Sequence, residues 1–322
     1  MNELTNLNSF NFPTTEEILS SIDQIPLPTE IKKSLWKSVA RLITGLVDVP
    51  VALLESKVQQ IRTEANALTL VTNSASIAVA KEFNQDAFLI ERTVNHFGSK
   101  LLRQQLNREQ TVKLALEDFK INPTIEDSKN EIDSDWLEMF SNIAETKSNE
   151  DIQLLFSKIL SGEIRKPGTF SPRTIQTLSL LEQNTGRIFQ SFCDSSFSIP
   201  NYGESLTCFI CEPFGSPGNN GLQNLGLNYS QLAELQDAGL IQNELTAWRE
   251  IPAELLTNPI KIGNKKLQYK LTNETPAGNI RISIINFTKV GLELKKVIEI
   301  NENAEYLQKF DEWILNKFKF EK

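Results

Sequence analysis

The sequence predicts a mainly α-helical protein that ends in a smaller α+β domain. Long stretches lack glycine and proline and place apolar residues at alternating three- and four-residue steps, which is typical of packed helices. Helix start signals cluster in the middle of the chain, and strand-like alternation occurs only in its last third. These patterns predict five segments: a partly ordered arm (1–28), a long-helix bundle or hairpin (29–120), an acidic linker (121–134), a compact helical module (135–198) and an α+β domain (199–322).

The composition indicates a folded globular protein of the cytoplasm. A chain of 322 residues with 40% hydrophobic and 23% charged residues can bury one large core or two to three smaller ones. Because the formal net charge is -8, binding to nucleic acid or anionic lipid would require a local basic patch. Three cysteines, a start without a signal-peptide pattern and no apolar run of about 18 residues predict neither disulfides nor a transmembrane segment.

The N-terminal region is predicted to form amphipathic and long helices. A capping pattern predicts a short helix over 15–22 within the arm. From Thr29 to about Leu46 the apolar residues share one face, while Lys33, Lys37 and Arg41 repeat every four residues on another. Helical spacing continues over 51–79 and returns over 87–119.

The compact module is predicted to contain three short helices around the sequence Gly-Glu-Ile-Arg-Lys-Pro-Gly at 162–168. Asp135 and Ser148 are predicted N-caps, since an acidic residue follows each of them three positions later. Ser171 stands before a proline, which is favourable at the first position of a helix, and therefore starts the third helix.

The C-terminal domain is predicted to combine short strands with capped helices. A short strand lies within the sequence SLTCFICEPF, and Asn228 caps a helix over 229–238 that Gly239 ends. Two strands over 267–271 and 280–287 are predicted to form a hairpin, followed by helices over 289–298 and 304–317. Helix, hairpin and helix in this order predict a winged-helix-like domain.

Several separated motifs resemble the bacterial domain-of-unknown-function family 2806. They are LITGLVDVPVALLESKVQQIRTEA, RQQLNREQTVKLAL and SNEDIQLLFSKILSGEIRKPGTFSPRTIQTLSLL. The resemblance covers roughly 35–193 and implies a shared, mostly helical fold without an established activity. More loosely, the helical N-terminal part, followed by W-x-x-x-F and F-x-x-I-L helices, is similar to the abortive-infection alpha proteins of bacterial antiphage defence.

The side chains that often carry chemistry do not form a reaction centre in the sequence. His96 is the only histidine, which leaves no base for a nucleophile within one chain. Cys208 and Cys211 have C-x-x-C spacing, but the strand-like context favours buried cysteines over a redox or zinc site. A magnesium-dependent hydrolase is the alternative offered by an acidic cluster, which caps and a solvated linker also explain: Glu126, Asp127, Glu131, Asp133 and Asp135. We predict no catalytic residue, cofactor or metal site.

Basic residues at the 162–168 turn and in the predicted 261–281 hairpin are candidates for contact with nucleic acid or another anion. They are Arg165, Lys166, Arg173, Lys261, Lys265, Lys266, Lys270 and Arg281. A structural turn in which Glu163 pairs with a neighbouring arginine is the alternative interpretation of the first three. The predicted recognition helix over 229–238 contains no Lys or Arg, so base reading in a major groove is not expected.

Trp36, with Lys33, Lys37 and Arg41, could lay its helix on a membrane surface or against a partner. Packing in the core is the alternative for this helix. Taken together, the sequence favours a non-enzymatic adaptor, sensor or effector that forms a homo-oligomer or binds another protein. The looser similarity suggests bacterial antiphage defence as its setting. A nucleic-acid-associated protein and a peripheral membrane effector are the two alternatives.

Overall fold

The computed structural model describes residues 21–22, 24–44, 87–122, 131–200, 206–215, 220–242 and 247–322. These residues form a mainly α-helical protein with a small antiparallel sheet in the C-terminal part, as predicted. The chain divides into two compact units, residues 1–172 and 173–322, and the division falls inside the predicted 135–198 module. The helix predicted over 51–79 and most of the one over 15–22 lie outside the described residues. No helix within these ranges has the length and apolar character needed to cross a bilayer.

The first unit consists of helices packed around an aliphatic and aromatic core. The helices are α1 (Thr29–Thr44), α2 (Ala87–Ile121), α3 (Ser134–Ala144) and α4 (Glu150–Arg165). The second half of α2 packs chiefly against α4, and α1 packs against both. The buried side chains that hold them together include Leu35, Leu42, Val112, Leu116, Phe119, Phe140, Phe156 and Leu160. Because each such side chain contributes about 1.5–3 kcal/mol when buried, this core is the main source of stability.

The N-caps of α3 and α4 differ from the prediction. Asp133 and Asn149 each accept the N–H of the residue three positions later, at 2.8 Å and 3.1 Å. Both have extended backbone, which places the side chain over the first free N–H groups. The predicted caps Asp135 and Ser148 are wrong because several polar residues precede each helix and only the backbone conformation selects among them.

Within its described residues, the second unit combines five α-helices with seven strands. The helices are α5 (Pro172–Leu180), which begins where predicted, α6 (Gln183–Asp194), α7 (Tyr229–Asp237), α8 (Lys289–Lys295) and α9 (Ala304–Phe318). The strands are β1 (Phe197–Ser198), β2 (Cys208–Ile210), β3 (Ile241–Gln242), β4 (Trp248–Pro252), β5 (Ile260–Ile262), β6 (Lys265–Leu267) and β7 (Asn279–Phe287). The prediction of α7 is confirmed, since Asn228 forms a capping box with Gln231 and Gly239 has a φ of 73°.

The long strand β7 organises the sheet. The strand order is β3-β7-β2-β1-β5-β6, with β4 also paired to β7, and every pair is antiparallel. Alternate residues of β7 are buried, and Phe192 of α6 stacks on Phe209 of β2 with ring centroids 4.9 Å apart. Tyr306 of α9 donates a hydrogen bond to the Ile210 carbonyl at 2.6 Å, which fixes the last helix to the central strands.

The predicted 261–281 hairpin is wrong, although its second strand is confirmed as part of β7. β7 pairs with β4 rather than with residues 267–271. β5 and β6 form a separate hairpin, and Lys270 instead forms an isolated bridge with Glu321. Alternation of side chains identifies a strand but does not identify its partner. The dipeptide Gly263-Asn264 is a two-residue hairpin signal that indicates the observed turn.

Two glycines allow close backbone contacts in this unit. A Cβ at Gly263, whose φ is 54°, would lie 2.1 Å from the carbonyl oxygen of Asp194. A Cβ at Gly291 would lie 2.0 Å from the carbonyl oxygen of Leu240. Only hydrogen fits at either position, so the β5–β6 turn and α8 can approach their neighbours directly.

Candidate interaction surfaces

Arg165 secures the C-terminal end of α2. Its guanidinium donates to the Asp118 carboxylate at 2.6 Å and to the carbonyls of Asp118 and Asn122 at 3.1 Å and 2.8 Å. It also lies over the Phe119 ring, 4.3 Å from the centroid. A cation that binds the last carbonyls of a helix satisfies free acceptors and complements the helix dipole. This contact gives Arg165 a structural role.

Asp118 is the anionic partner in this contact. Burial acts to raise the pKa of the Asp118 carboxyl, but hydrogen bonds from Ser161 and Arg165 outweigh it and hold the pKa below its ordinary value. The Ser161 hydroxyl donates to the same carboxylate oxygen at 2.6 Å. Asp118 therefore stays ionised and joins α2 to α4.

Glu163 organises the 162–168 turn by accepting backbone N–H groups. Its side chain is buried, and its carboxylate accepts the N–H groups of Gly168 and Phe170 at 2.5 Å and 2.9 Å. The Phe170 carbonyl in turn accepts the Trp136 indole N–H at 2.7 Å. A Cβ at Gly162 would lie 2.7 Å from the Phe170 ring, so glycine lets the ring pack on the helix. The turn is thus a packed corner.

The other two basic residues predicted at this turn have different surroundings. Lys166 is the C-cap of α4, and its N–H donates to the Gly162 carbonyl. Arg173 is exposed in the first turn of α5, which belongs to the second unit. Neither position adds to the Arg165–Asp118 contact, so the structure does not bring the three cations together within one unit.

Trp36 is buried on α1, with 7% of its surface exposed. Lys33 and Lys37 lie 3.8 Å and 3.2 Å from carboxylate oxygens of Glu131, and the largely buried Arg41 forms an ion pair with Glu138 at 2.9 Å. Hydrogen bonding and the charge of Lys37 lower the pKa of Glu131. These contacts favour core packing of α1, because the aromatic side chain that would enter lipid is covered.

The first half of α2 carries an exposed apolar face. Every side chain that the structure describes between Arg92 and Arg103 is exposed. Phe97, Leu101 and Leu102 retain 54%, 63% and 49% of their surface. Leu101 and Leu102 lie three and four residues after Gly98 and four and five residues after Phe97, so the four residues share one side of the helix. We call Phe97, Gly98, Leu101 and Leu102 the α2 face.

The β5–β6 hairpin carries a cluster of lysines. Lys261 and Lys266 are directly opposite each other across the two strands and so project from the same side. Neither has a hydrogen-bond or ion-pair partner within the described part of the chain. The charge of Lys261 also acts on Lys295 of α8. Burial lowers the pKa of the Lys295 ammonium, and the charge of Lys261 lowers it further. The buried thiol of Cys193 acts in the opposite direction. We call Lys261, Lys266 and Lys295 the lysine cluster.

The remaining predicted cations of this region lie outside the lysine cluster. Lys265 projects from the other side of the hairpin, and its ammonium lies 3.4 Å from Glu302. Lys270 bridges Glu321 through its backbone. Arg281 stacks over Trp248, 3.8 Å from the ring centroid. Of the predicted set, Lys261 and Lys266 belong to the lysine cluster.

The histidine, the cysteines and the described residues of the acidic cluster each lie in an exposed, buried or structural position. His96 is exposed on α2 beside Phe97. Cys208 and Cys211 are buried, as predicted, and burial raises the pKa of their thiols to about 12 and about 11. Within the acidic cluster, Asp133 caps α3 and Glu131 pairs with lysines. Glu126 and Asp127 lie outside the described residues. Among the residues that the structure describes, no three His, Cys, Asp or Glu side chains form a group that could hold a metal ion.

A shallow cleft lies between α5, α6 and α7 in the second unit. It encloses about 320 Å³ and is lined by threonines, leucines and acidic residues, among them Leu180, Glu182 and Glu234. The hydroxyl of Thr185 donates to Glu234 at 2.6 Å. Among the described residues that line the cleft there is no histidine, cysteine or lysine, so they offer acidic and apolar contacts rather than a nucleophile with its base.

Sequence reasoning missed Gly98 and Lys295. Gly98 lies inside a long helical pattern, and an isolated glycine there is a recognisable signal of close packing. Lys295 falls in the last turn of a helix, where a cation is common, so only the fold shows that it meets Lys261.

No curated protein and no solved structure matches this chain, so the similarity to abortive-infection alpha proteins stays a prediction. Residues 91–311, which include most of α2 and the whole sheet, match the family described as Protein of unknown function (DUF2806), and the chain therefore belongs to that family.

Proposed function

We propose that this protein is a non-enzymatic interaction protein of the cytoplasm that self-associates through the α2 face. The observation that carries the proposal is an interior glycine, Gly98, surrounded by three exposed apolar side chains on a long helix. Side chains of this size contribute binding energy when a partner covers them.

Gly98 supports contact with another helix. A Cβ at this position would meet nothing within 4 Å, so the packing of the described residues does not require glycine there. Glycine in a helix interior costs about 0.5–1 kcal/mol relative to alanine. A close approach of a second backbone would offset that cost, since small residues let two helices come near each other.

A second copy of this chain is the occupant that the α2 face fits. Two copies related by a twofold axis can cross at Gly98, so that Phe97 of one packs against Leu101 and Leu102 of the other. The basic residues of this segment fall on the opposite side of the helical wheel and would remain in water: Arg92, Lys100 and Arg103. Such a crossing needs no charged partner.

Light scattering coupled to size-exclusion chromatography tests the proposal. We expect wild-type protein to have a dimer mass at micromolar concentration and the Phe97→Ser/Leu101→Ser variant to have the monomer mass. Leu180→Ser is the matched control, because Leu180 is 80% exposed but lies in the other unit. Its mass should equal that of the wild type.

Two results would overturn self-association. One is a wild-type monomer at all concentrations whose stability falls in the Phe97→Ser/Leu101→Ser variant, which would assign the α2 face to another segment of the same chain. The other is a wild-type monomer that floats with anionic liposomes unless these side chains are replaced, which would assign the face to a membrane surface.

A role as adaptor, sensor or effector in bacterial antiphage defence is the biological setting that we propose for this self-association. It rests on the looser similarity of the helical arrangement to abortive-infection alpha proteins. Plaque formation on host cells with and without the gene tests the setting. Equal phage titres would remove it, whereas protection lost in Phe97→Ser/Leu101→Ser would link it to the α2 face.

We also propose that α7, β3 and β7 belong to a winged-helix type of domain that contacts protein. In this assignment α7 is the recognition helix. β3 follows α7 directly in sequence and pairs with the C-terminal end of β7. α7 contains Glu234 and no Lys or Arg, and base reading needs donors of that kind. Comparison of this unit with an experimental structure would test the assignment by the order of its helices and strands.

A further inference from the structure

We propose that the lysine cluster contacts the phosphate backbone of a nucleic acid, a function beyond self-association. Lys261 and Lys266 are cross-strand neighbours on one side of the β5–β6 hairpin, and the charge of Lys261 also acts on the ammonium of Lys295 on α8. The two cross-strand lysines form a local positive patch on a chain whose formal net charge is -8.

The arrangement costs stability when no anion is present. Like charges directly opposite each other in an antiparallel pair are destabilising. Lys295 is partly buried, and burial lowers its pKa before the charge of Lys261 lowers it further, although the Cys193 thiol opposes both. A phosphate oxygen near these groups would relieve the repulsion and accept hydrogen bonds from the ammonium groups.

The shape of the hairpin favours an extended polymer over a small molecule. Lys266 is exposed next to a two-residue turn, and Gly263 in that turn packs directly against the backbone at Asp194. Lys266 is therefore presented to solvent on a firmly seated hairpin, whereas small ligands are usually enclosed by a concave site. Lysines on such a hairpin can contact successive phosphates without reading the bases.

A salt-dependent binding titration tests the proposal on the full chain. A fluorescently labelled 20-mer duplex and the matching single strand are titrated at several salt concentrations. We expect binding at low salt and at least a roughly tenfold loss of affinity in Lys261→Gln/Lys266→Gln, with the salt slope on duplex smaller by about 1.8, since each phosphate contact contributes about 0.9.

Lys265→Gln/Lys309→Gln is the control with the same change of charge. Lys265 lies on the same hairpin but pairs with Glu302, and Lys309 pairs with Glu312. The control should keep most of the affinity. Both variants should remain folded by circular dichroism, because all four positions are on the surface and exposed substitutions usually change stability by less than about 0.5 kcal/mol.

Each remaining outcome counts against the proposal. Equal weakening by the two variants would show a general charge effect, and no binding at low salt would remove the site. Displacement of the oligonucleotide by millimolar inorganic pyrophosphate, with equal binding of pyrophosphate alone, would assign the cluster to a small phosphate. Binding to phosphatidylserine vesicles without binding to either oligonucleotide would assign it to a lipid headgroup.

Discussion

Glu163 is a buried carboxylate whose work in this protein is structural. Its two carboxylate oxygens accept the N–H groups of Gly168 and Phe170, which follow the end of α4 and have no carbonyl partner within a helix. Charge-assisted hydrogen bonds of this kind are stronger than neutral ones. The residue therefore holds the chain in a tight corner.

We expect Glu163→Ala to destabilise the first unit by about 1–3 kcal/mol, because it removes the acceptor of the buried Phe170 N–H and of the part-buried Gly168 N–H. Guanidinium unfolding followed by circular dichroism measures the loss. Glu117→Ala, an exposed glutamate on α2, should change stability by less than about 0.5 kcal/mol. Equal effects of the two substitutions would contradict the structural role of Glu163.

Gly98 is a second residue at which one substitution separates two properties. Because nothing lies within 4 Å of the added methyl group, Gly98→Ala should stabilise the monomer by up to about 1 kcal/mol through helix propensity. The same methyl group should raise the dimer dissociation constant, since it keeps two crossing helices apart. Denaturation at nanomolar protein and sedimentation equilibrium at micromolar protein measure these opposite changes, and tighter association would contradict the crossing at Gly98.

At the scale of elements, α2 is anchored at its C-terminal end and carries a free face at its beginning. The anchor is the Asp118–Arg165 ion pair, with Ser161 as a further donor. Since the folded pKa of Asp118 lies below its value in the unfolded chain, the ion pair stabilises the fold above that unfolded value, near 4, and is lost as the pH falls through the lower folded value.

We therefore expect Asp118→Asn to cost about 1.5–3 kcal/mol at pH 7, because a charged hydrogen-bonded pair is broken. The difference from the wild type should shrink as the pH falls below about 4, where the unfolded carboxyl takes up a proton, and become smallest below the lower folded pKa. Urea unfolding at pH 7 and pH 3 measures both values. The adjacent exposed residue serves as control in Glu117→Gln, and a gap for Asp118→Asn that is constant across this range would contradict the ion pair.

Local signals predicted elements well and their partners poorly. The capping box at Asn228 and the proline at the start of α5 depend on neighbours in sequence, so the sequence identified both. The partners of β7 come from distant segments, and residues 261–281 were therefore wrongly paired. The basic candidates were dispersed for the same reason, because only tertiary structure decides that Arg165 meets Asp118 and Lys261 meets Lys295.

At the scale of the whole molecule, the reactivity of the cysteine thiols gives information about the second unit alone. All three cysteines, Cys193, Cys208 and Cys211, lie in residues 173–322 and are buried. Burial raises the pKa of each thiol, and thiolate is the reactive form. The reactivity of the native protein toward a thiol reagent thus depends on opening of that unit.

We expect the native protein at pH 8 to react with an aromatic disulfide reagent roughly a hundredfold or more slowly than the unfolded protein. Three thiols should react in guanidinium, in agreement with the sequence. Absorbance of the released thiol measures both rates. A rapid phase that consumes one thiol of the native protein would show that its site is open.

Gly263 and Gly291 admit no side chain, and we therefore expect both glycines to be kept when the rest of the sequence diverges. Any replacement at Gly263 or Gly291 would drive a carbon atom into a main-chain oxygen about 2 Å away, so neither clash depends on which side chains surround it. Remote relatives that share this packing should therefore keep glycine at both places even where the surrounding letters have changed. Searching for that pair, with its spacing, offers a way to recognise kinship that overall identity no longer reveals.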